Sequence, residues 1–350
     1  MDKFMQAYVG TAGHSTWFSE DLGQSWLHPN SHSGMYLEAR VWVFSSHVGD
    51  LNHLYAGTDM GIFKWDESQA RWSQLPSPMN DVWSLVQDPL DPNILIAGTR
   101  PAGFYRSTDA GLSWIELSAP GISQFSEVNQ GPTRVTQILF DPLDTNVLWA
   151  TVEIGGVYKS VDRGETWKLY DSGLVTADMH GIAVVQSPQG TSWVYATSNK
   201  GLHRSEDNGV TWKIQELPSP WQYTRGIIAS PIDPTKLYLT NGNGPPGNDG
   251  KLFKSENSGL DWTEISLPGE LNSTPWCLSV QKEDEGMRIW LATNLGQIFT
   301  SIDGGDTFRR LSHEFGEVRA IHHRFFKAPP RKNDHAITRA VIKARDFRIV

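Results

Sequence analysis

Seven short stretches of the 350-residue chain put charged or aromatic side chains at nearly the same point, where an apolar alternating run begins. They are "EARVW" (Glu38, Arg40, Trp42), "NDVWS" (Asp81, Trp83), "PTRVT" (Arg134), "DMHGI" (Asp178, His180), "YTRGI" (Tyr223, Arg225), "TPWCL" (Trp276) and "EVRAI" (Glu317, Arg319). Guanidinium forks take carboxylate or phosphate oxygens in charge-assisted hydrogen bonds. Arg40, Arg134, Arg225 and Arg319, with Arg100 from a later loop, are therefore candidate receptors for a small anion. Histidine titrates near neutrality and tyrosine can donate a proton, so His180 and Tyr223 could abstract and return a proton beside a bound carboxylate. A lyase acting on a sugar acid needs that combination. A glycoside hydrolase needs two carboxylates at a defined separation, and the candidate pair is Asp81 with Glu153. Trp83 and Trp276 offer flat faces to a sugar or aromatic ring. The competing reading pairs the arginines with Glu38, Asp81, Asp178 and Glu317 as ion pairs that hold the fold. In that case the tryptophans are core.

These stretches matter only if the fold brings them together, and the chain repeats itself in a way that does. "SVDRGETW" (Ser160 to Trp167) recurs as "SEDLGQSW" (Ser19), "STDAGLSW" (Ser107), "SEDNGVTW" (Ser205), "SENSGLDW" (Ser255) and "SIDGGDTF" (Ser301), with a worn copy "WDESQARW" from Trp65 to Trp72. The closing aromatics fall at 26, 72, 114, 167, 212, 262 and 308, seven copies of one unit. Each unit reads as four short strands: an apolar run, a turn such as "DPLDPN", a run ending in Gly-Thr or Ala-Thr, a "GVYKS"-like run, and a strand opened by the tryptophan. Four-stranded units at this period predict an all-β chain forming a single seven-bladed β-propeller, which leaves few free sheet edges. The chain begins at a second strand and ends on "EVRAIHHRF", an innermost strand, so the C-terminal strand is expected to complete blade one and close the ring. The propeller then spans 1–326. Repetition argues that the eight-residue motif is structural, a turn staple rather than a catalytic group.

Ser-x-Asp-x-Gly-x-Thr-Trp resembles the Asp-box (BNR) repeat of sialidases, two-propeller xyloglucan hydrolases, sortilin-type receptors and photosystem II assembly-factor propellers. The resemblance runs from about Tyr8 to Phe325 and implies the fold. It carries no functional residue across. Sialidases have six blades and an N-terminal Phe-Arg-Ile-Pro, whereas the nearest string here is "FRIV" at 347–350. Xyloglucan hydrolases of this type hold their acids between two propellers, and one is expected here.

Composition narrows the partners. A net charge of −9 argues against a nucleic-acid binder. The single cysteine, Cys277, excludes an internal disulfide and any multi-cysteine metal site. "HPNSH" (His28, His32) with His14 is a weak metal candidate lacking a further ligand in register, so no metal and no cofactor is expected. No apolar leader or membrane-spanning run is visible, which makes the cytoplasm the expected location and a membrane an unexpected partner. Residues 327–350 form a basic tail, with seven Lys or Arg against two Asp. Two functions follow as expectations: an enzyme, hydrolase or lyase, acting on a small anionic molecule or carbohydrate, or a scaffold whose face binds a protein partner.

Overall fold

The computed structural model describes residues 3–28, 33–284 and 286–327. Every regular element among them is a strand, and the strands form seven antiparallel sheets arranged as blades. In blade four, Arg134–Phe140 lies innermost, followed outward by Leu148–Glu153, Gly156–Ser160 and Lys168–Leu169. Blades two, three, five, six and seven repeat that order. A two-stranded ribbon, Phe125–Ser126 with Gly131–Pro132, interrupts the approach to blade four.

Blade one is closed by chain ends far apart in sequence. Val318–Lys327 pairs with Lys3–Thr11 along its length, from Lys3↔Lys327 to Thr11↔Val318, and Lys3–Thr11 pairs outward with Thr16–Ser19. Leu27 bridges to Phe18 as the rudiment of the fourth strand. The C-terminal strand therefore closes the ring as its sequence implied. The basic tail, beyond 327, lies outside the described residues, as does His32.

Each sheet buries both faces against its neighbours, and the motif tryptophans fill the gaps. Trp167 is fully buried and stacks on Phe104 of blade three at 4.2 Å and 6°. Burying such a ring removes roughly 150–250 Å² from water, worth about 4–6 kcal/mol before entropy is counted.

The motif itself is a turn staple. Ser160 Oγ donates to Asp162 Oδ1 (2.6 Å) and accepts from the Gly164 N–H (2.8 Å). Asp162 accepts from the Thr166 N–H (2.9 Å) and hydroxyl (2.5 Å). Ser19, Ser107, Ser205, Ser255 and Ser301 repeat the bond to the glycine N–H. In blade six Asn257 stands for the aspartate: its Oδ1 still accepts from the Asp261 N–H (2.9 Å), while its Nδ2 donates to the Asp261 carboxylate (2.8 Å).

Blade two has no such serine, and its Glu67 has a different task. Glu67 is buried and accepts from Arg324 Nη2 (2.8 Å), Trp65 Nε1 (3.0 Å) and Gln6 Nε2 (3.2 Å). Arg324 comes from the C-terminal strand, is 3% exposed, and also reaches the His53 carbonyl (3.0 Å). The worn motif is the seam where the closing strand is latched to blade two.

Consecutive histidines of the closing strand face opposite neighbours: His322 meets Ser46 Oγ of blade two (2.8 Å) and His323 meets Ser279 Oγ of blade seven (2.8 Å). A propeller blade has covered faces on both sides, so alternation carries a side chain from one neighbour to the other.

Candidate functional site

All seven innermost strands carry a β-bulge at the same place. The register skips one residue in six of them, Trp42, Trp83, Thr136, His180, Trp276 and, in blade one, Arg319, and two in blade six, Arg225 with Gly226. A bulge leaves one residue without a ladder partner and re-aims its side chain. All of these residues line a central channel of about 880 Å³, which continues past Gln137 and Ser279 to His47, Asp50 and Glu283 at the far end.

Two residues before each bulge stands a second tier: Arg40, Asp81, Arg134, Asp178, Tyr223, Thr274 and Glu317. None of these lines the channel cavity. The expectation of four arginines at one level is thus corrected: Arg225 and Arg319 are in the inner ring, Arg40 and Arg134 in the outer tier. Strand alternation alone cannot separate the tiers, because the bulge shifts the register by one between them.

The tiers are tied together by aromatic and guanidinium stacks. Trp42 and Trp83 stack at 4.0 Å and 13°, and the Arg134 guanidinium covers Trp83 at 4.1 Å. Arg134 in turn donates to Glu153 at 2.5 Å, and Trp42 Nε1 donates to Asp81 at 2.7 Å. Across the channel, Arg225 lies 4.2 Å and Arg319 5.3 Å from the Trp276 ring centre. Trp83 and Trp276 are 9% and 6% exposed. What these indoles present to the mouth is therefore a held guanidinium rather than a bare face for a sugar.

The sequence candidates divide accordingly. His180 and Tyr223 are brought together, with ring centres 5.1 Å apart, beside Arg225. Asp81 and Glu153 are not brought together as a free pair, since each is engaged with its own partners outside the cavity. Burial raises the Asp81 carboxyl against the pull of indole N–H groups and of Arg100, which lies 4.0 Å away. Arg40 is an exposed rim residue 4.0 Å from Asp59, and Glu38 is exposed. Arg319 pairs with Glu317, as the ion-pair reading expected, but Arg134 pairs with Glu153. Thr136 was missed. Aligning the seven stretches on the residue after "V" in "TRVT" and "DVWS" would have found it.

Arg225 differs from the others. Among the described residues it makes no ion pair; its neighbours are the Tyr223 hydroxyl and the Trp276 face. Its charge is felt around the mouth. Burial and then Arg225 bring Arg319 down to about 10. Burial and then Arg225 also push His180 below the ordinary imidazole value. Burial raises the Tyr223 hydroxyl despite Arg225. Under Arg225 and Arg319, burial pushes the Cys277 thiol up to about 12, so it is an unreactive thiol that donates to the Arg319 carbonyl (3.1 Å).

No group of three or more metal-binding side chains occurs among the described residues. His28 instead stacks on Trp17 at 4.2 Å and meets the His14 carbonyl at 2.9 Å. No helix among these residues is long and apolar enough to cross a membrane.

Seven blades, the serine–aspartate staples and closure by the C-terminal strand define an Asp-box β-propeller. Within that class, a family model described as "Sortilin, neurotensin receptor 3" matches residues 200–345. The xyloglucanase Xgh74A of Acetivibrio thermocellus is 27% identical over 322 residues, covering 77% of this chain and 37% of its own length. The chain thus spans little more than a third of that relative. Among solved structures, an ancestral GH74 enzyme superposes with a TM-score of 0.58 at 19% identity, over 81% of this chain and 38% of its own. A Ycf48 bound to a D1 peptide superposes with a TM-score of 0.54 at 20% identity, over 78% of this chain and 80% of its own. The relatives therefore include both an enzyme class and a peptide-binding protein.

Proposed function

We propose that the channel mouth binds a small carboxylate-bearing molecule, received by Arg225 with Arg319 beside it and with the titratable His180 next to the arginine. The observation that carries this reading is Arg225 itself: a cation lining an 880 Å³ cavity with no carboxylate in ion-pair range among the described residues. A partly desolvated guanidinium already held 4.2 Å from an indole centre loses little further freedom on binding, which favours an anion that its fork can grip. Both ring nitrogens of His180 are directed at the Thr224 carbonyl and Asp178, and Tyr223 stands in the outer tier, so binding rather than elimination is the part of the reading this geometry favours. Hydrolysis of a glycoside by Asp81 and Glu153 is the less supported reading, because both carboxylates are engaged and stand outside the cavity.

The same arginines suit the terminal or side-chain carboxylate of a protein segment, and the Ycf48 solved with a D1 peptide favours keeping that partner in view. A thermal-shift screen of sugar acids, small carboxylates, phosphorylated sugars, neutral xyloglucan oligosaccharides and carboxylate-ended peptides tests the proposal. Ligand at a hundred times its Kd raises stability by about 2.7 kcal/mol. Stabilisation by sugar acids or small carboxylates supports it; stabilisation by neutral oligosaccharides alone overturns it.

A further inference from the structure

His180 sits where a proton is wanted and withheld. Its Nδ1 is 2.7 Å from the Thr224 carbonyl oxygen, so Nδ1 carries the hydrogen and Nε2 is left with its lone pair. That lone pair faces Asp178 Oδ1 at 3.5 Å, and this carboxylate oxygen is buried without a hydrogen-bond partner. Two acceptors therefore look at each other across a gap that one proton would fill. The imidazole side chain is 3% exposed and that of Asp178 20%, with the facing carboxylate oxygen buried, so the two facing atoms are largely shielded from bulk water.

The groups facing this pair explain why the proton is held off. From blade six, Arg225 faces His180 together with the uncharged Tyr223 hydroxyl. From blade four, Arg134 acts on Asp178 but is neutralised by Glu153. Burial and the Arg225 charge disfavour imidazolium, whereas Asp178 favours it. Burial works to raise the Asp178 carboxyl, while Arg225 and Arg134 favour its charged form, so the carboxylate is ready to accept. Of the two arginines acting on this pair, Arg134 has its ion pair with Glu153 and Arg225 has none among the described residues.

We infer that anion binding at Arg225 is coupled to uptake of one proton into the His180–Asp178 gap, so that the site takes an anion and a proton together. This rests on the anion reading above. A carboxylate laid on Arg225 cancels the charge that opposes imidazolium, while the Thr224 carbonyl and Asp178 remain to accept both N–H groups. Because linkage is reciprocal, the proton then strengthens anion binding by the same factor. Between the free and bound titration points, affinity falls by up to about tenfold for each unit rise in pH. The outcome is a site that captures a carboxylate more tightly in acid and holds a charged imidazole against it.

Two measurements on the full chain test this. The first is a histidine NMR titration, with His180 assigned by loss of its signal in His180→Gln. Arg225→Gln removes the opposing charge without any ligand, and the His180 titration point is expected to rise by about one pH unit; an unmoved titration point overturns the coupling. The second is calorimetry of D-glucuronate binding at pH 6 in two buffers of different ionisation enthalpy. A buffer-dependent heat amounting to uptake of up to one proton supports the coupling, and equal heats with clear binding overturn it while leaving the anion site standing. If glucuronate and the other carboxylates fail to bind at all, the anion reading itself falls, and the coupling with it. The Arg225→Gln titration reports on the electrostatics in either case.

Discussion

At the scale of single residues, function and stability use the same chemistry in different settings. Arg225 lines a cavity and makes no ion pair among the described residues, whereas Arg324 is a buried cation held by Glu67 and two carbonyl oxygens. Removing each has a different consequence. Arg225→Ala is expected to abolish carboxylate binding while shifting the urea midpoint little, because it breaks no ion pair; a large loss of stability would make the residue scaffold. Glu67→Ala strands Arg324 in the seam and is expected to cost about 3–5 kcal/mol, read as a lowered urea midpoint. A loss under about 1 kcal/mol would show that the latch does not hold the ring. The type of these residues was legible in the sequence, but their setting was not. Glu67 falls in the worn copy of the motif, and nothing local could show that a residue 257 positions later supplies its partner.

The elements repeat, and their legibility follows from that. The staples could be read because all their partners lie within eight residues, and the blades because the staple recurs at a steady period. Closure could be read because both chain ends carried incomplete units. The two tiers at the mouth could not be read, because a bulge adds one residue without a signature of its own and turns period-two alternation into a wrong level for Arg40 and Arg134. The staples also set how tightly blades meet. At Gly209 the backbone has φ +91°, and a methyl group there would come within 2.6 Å of the Trp149 ring of the neighbouring blade. Left-handed backbone costs an L-residue about 1–2 kcal/mol and overpacking about 1–3 kcal/mol more. Gly209→Ala is therefore expected to lower stability by at least about 2 kcal/mol in urea unfolding. A neutral result would mean the blades can slide apart at that turn.

For the whole molecule, the many buried neutral histidines make acid a selective stress. Burial brings His203 down to about 4, and burial with Arg324 brings His322 down to about 3, from an ordinary value near 6.5. The unfolded chain binds these protons first, so stability is full above pH 6.5 and declines as pH falls towards 4. The staple aspartates act lower. Side-chain and backbone hydrogen bonds from Ser113 hold Asp109 at about 2, and their contribution is lost only between pH 3.8 and 2. Melting temperature is therefore expected to fall in two stages, the first blunted in His322→Asn; a flat profile from pH 7 to 4 would contradict the burial of these rings. The ring that these forces close has one mouth where aromatic–guanidinium stacks face a cavity, and the account turns on that mouth. The most direct test is a crystal structure of the protein grown with the carboxylate that best stabilises it. Carboxylate oxygens are expected about 2.7–2.9 Å from the Arg225 guanidinium inside the channel. A ligand seated on the outer rim at Arg40, or between blades away from His180 and Arg225, would contradict it.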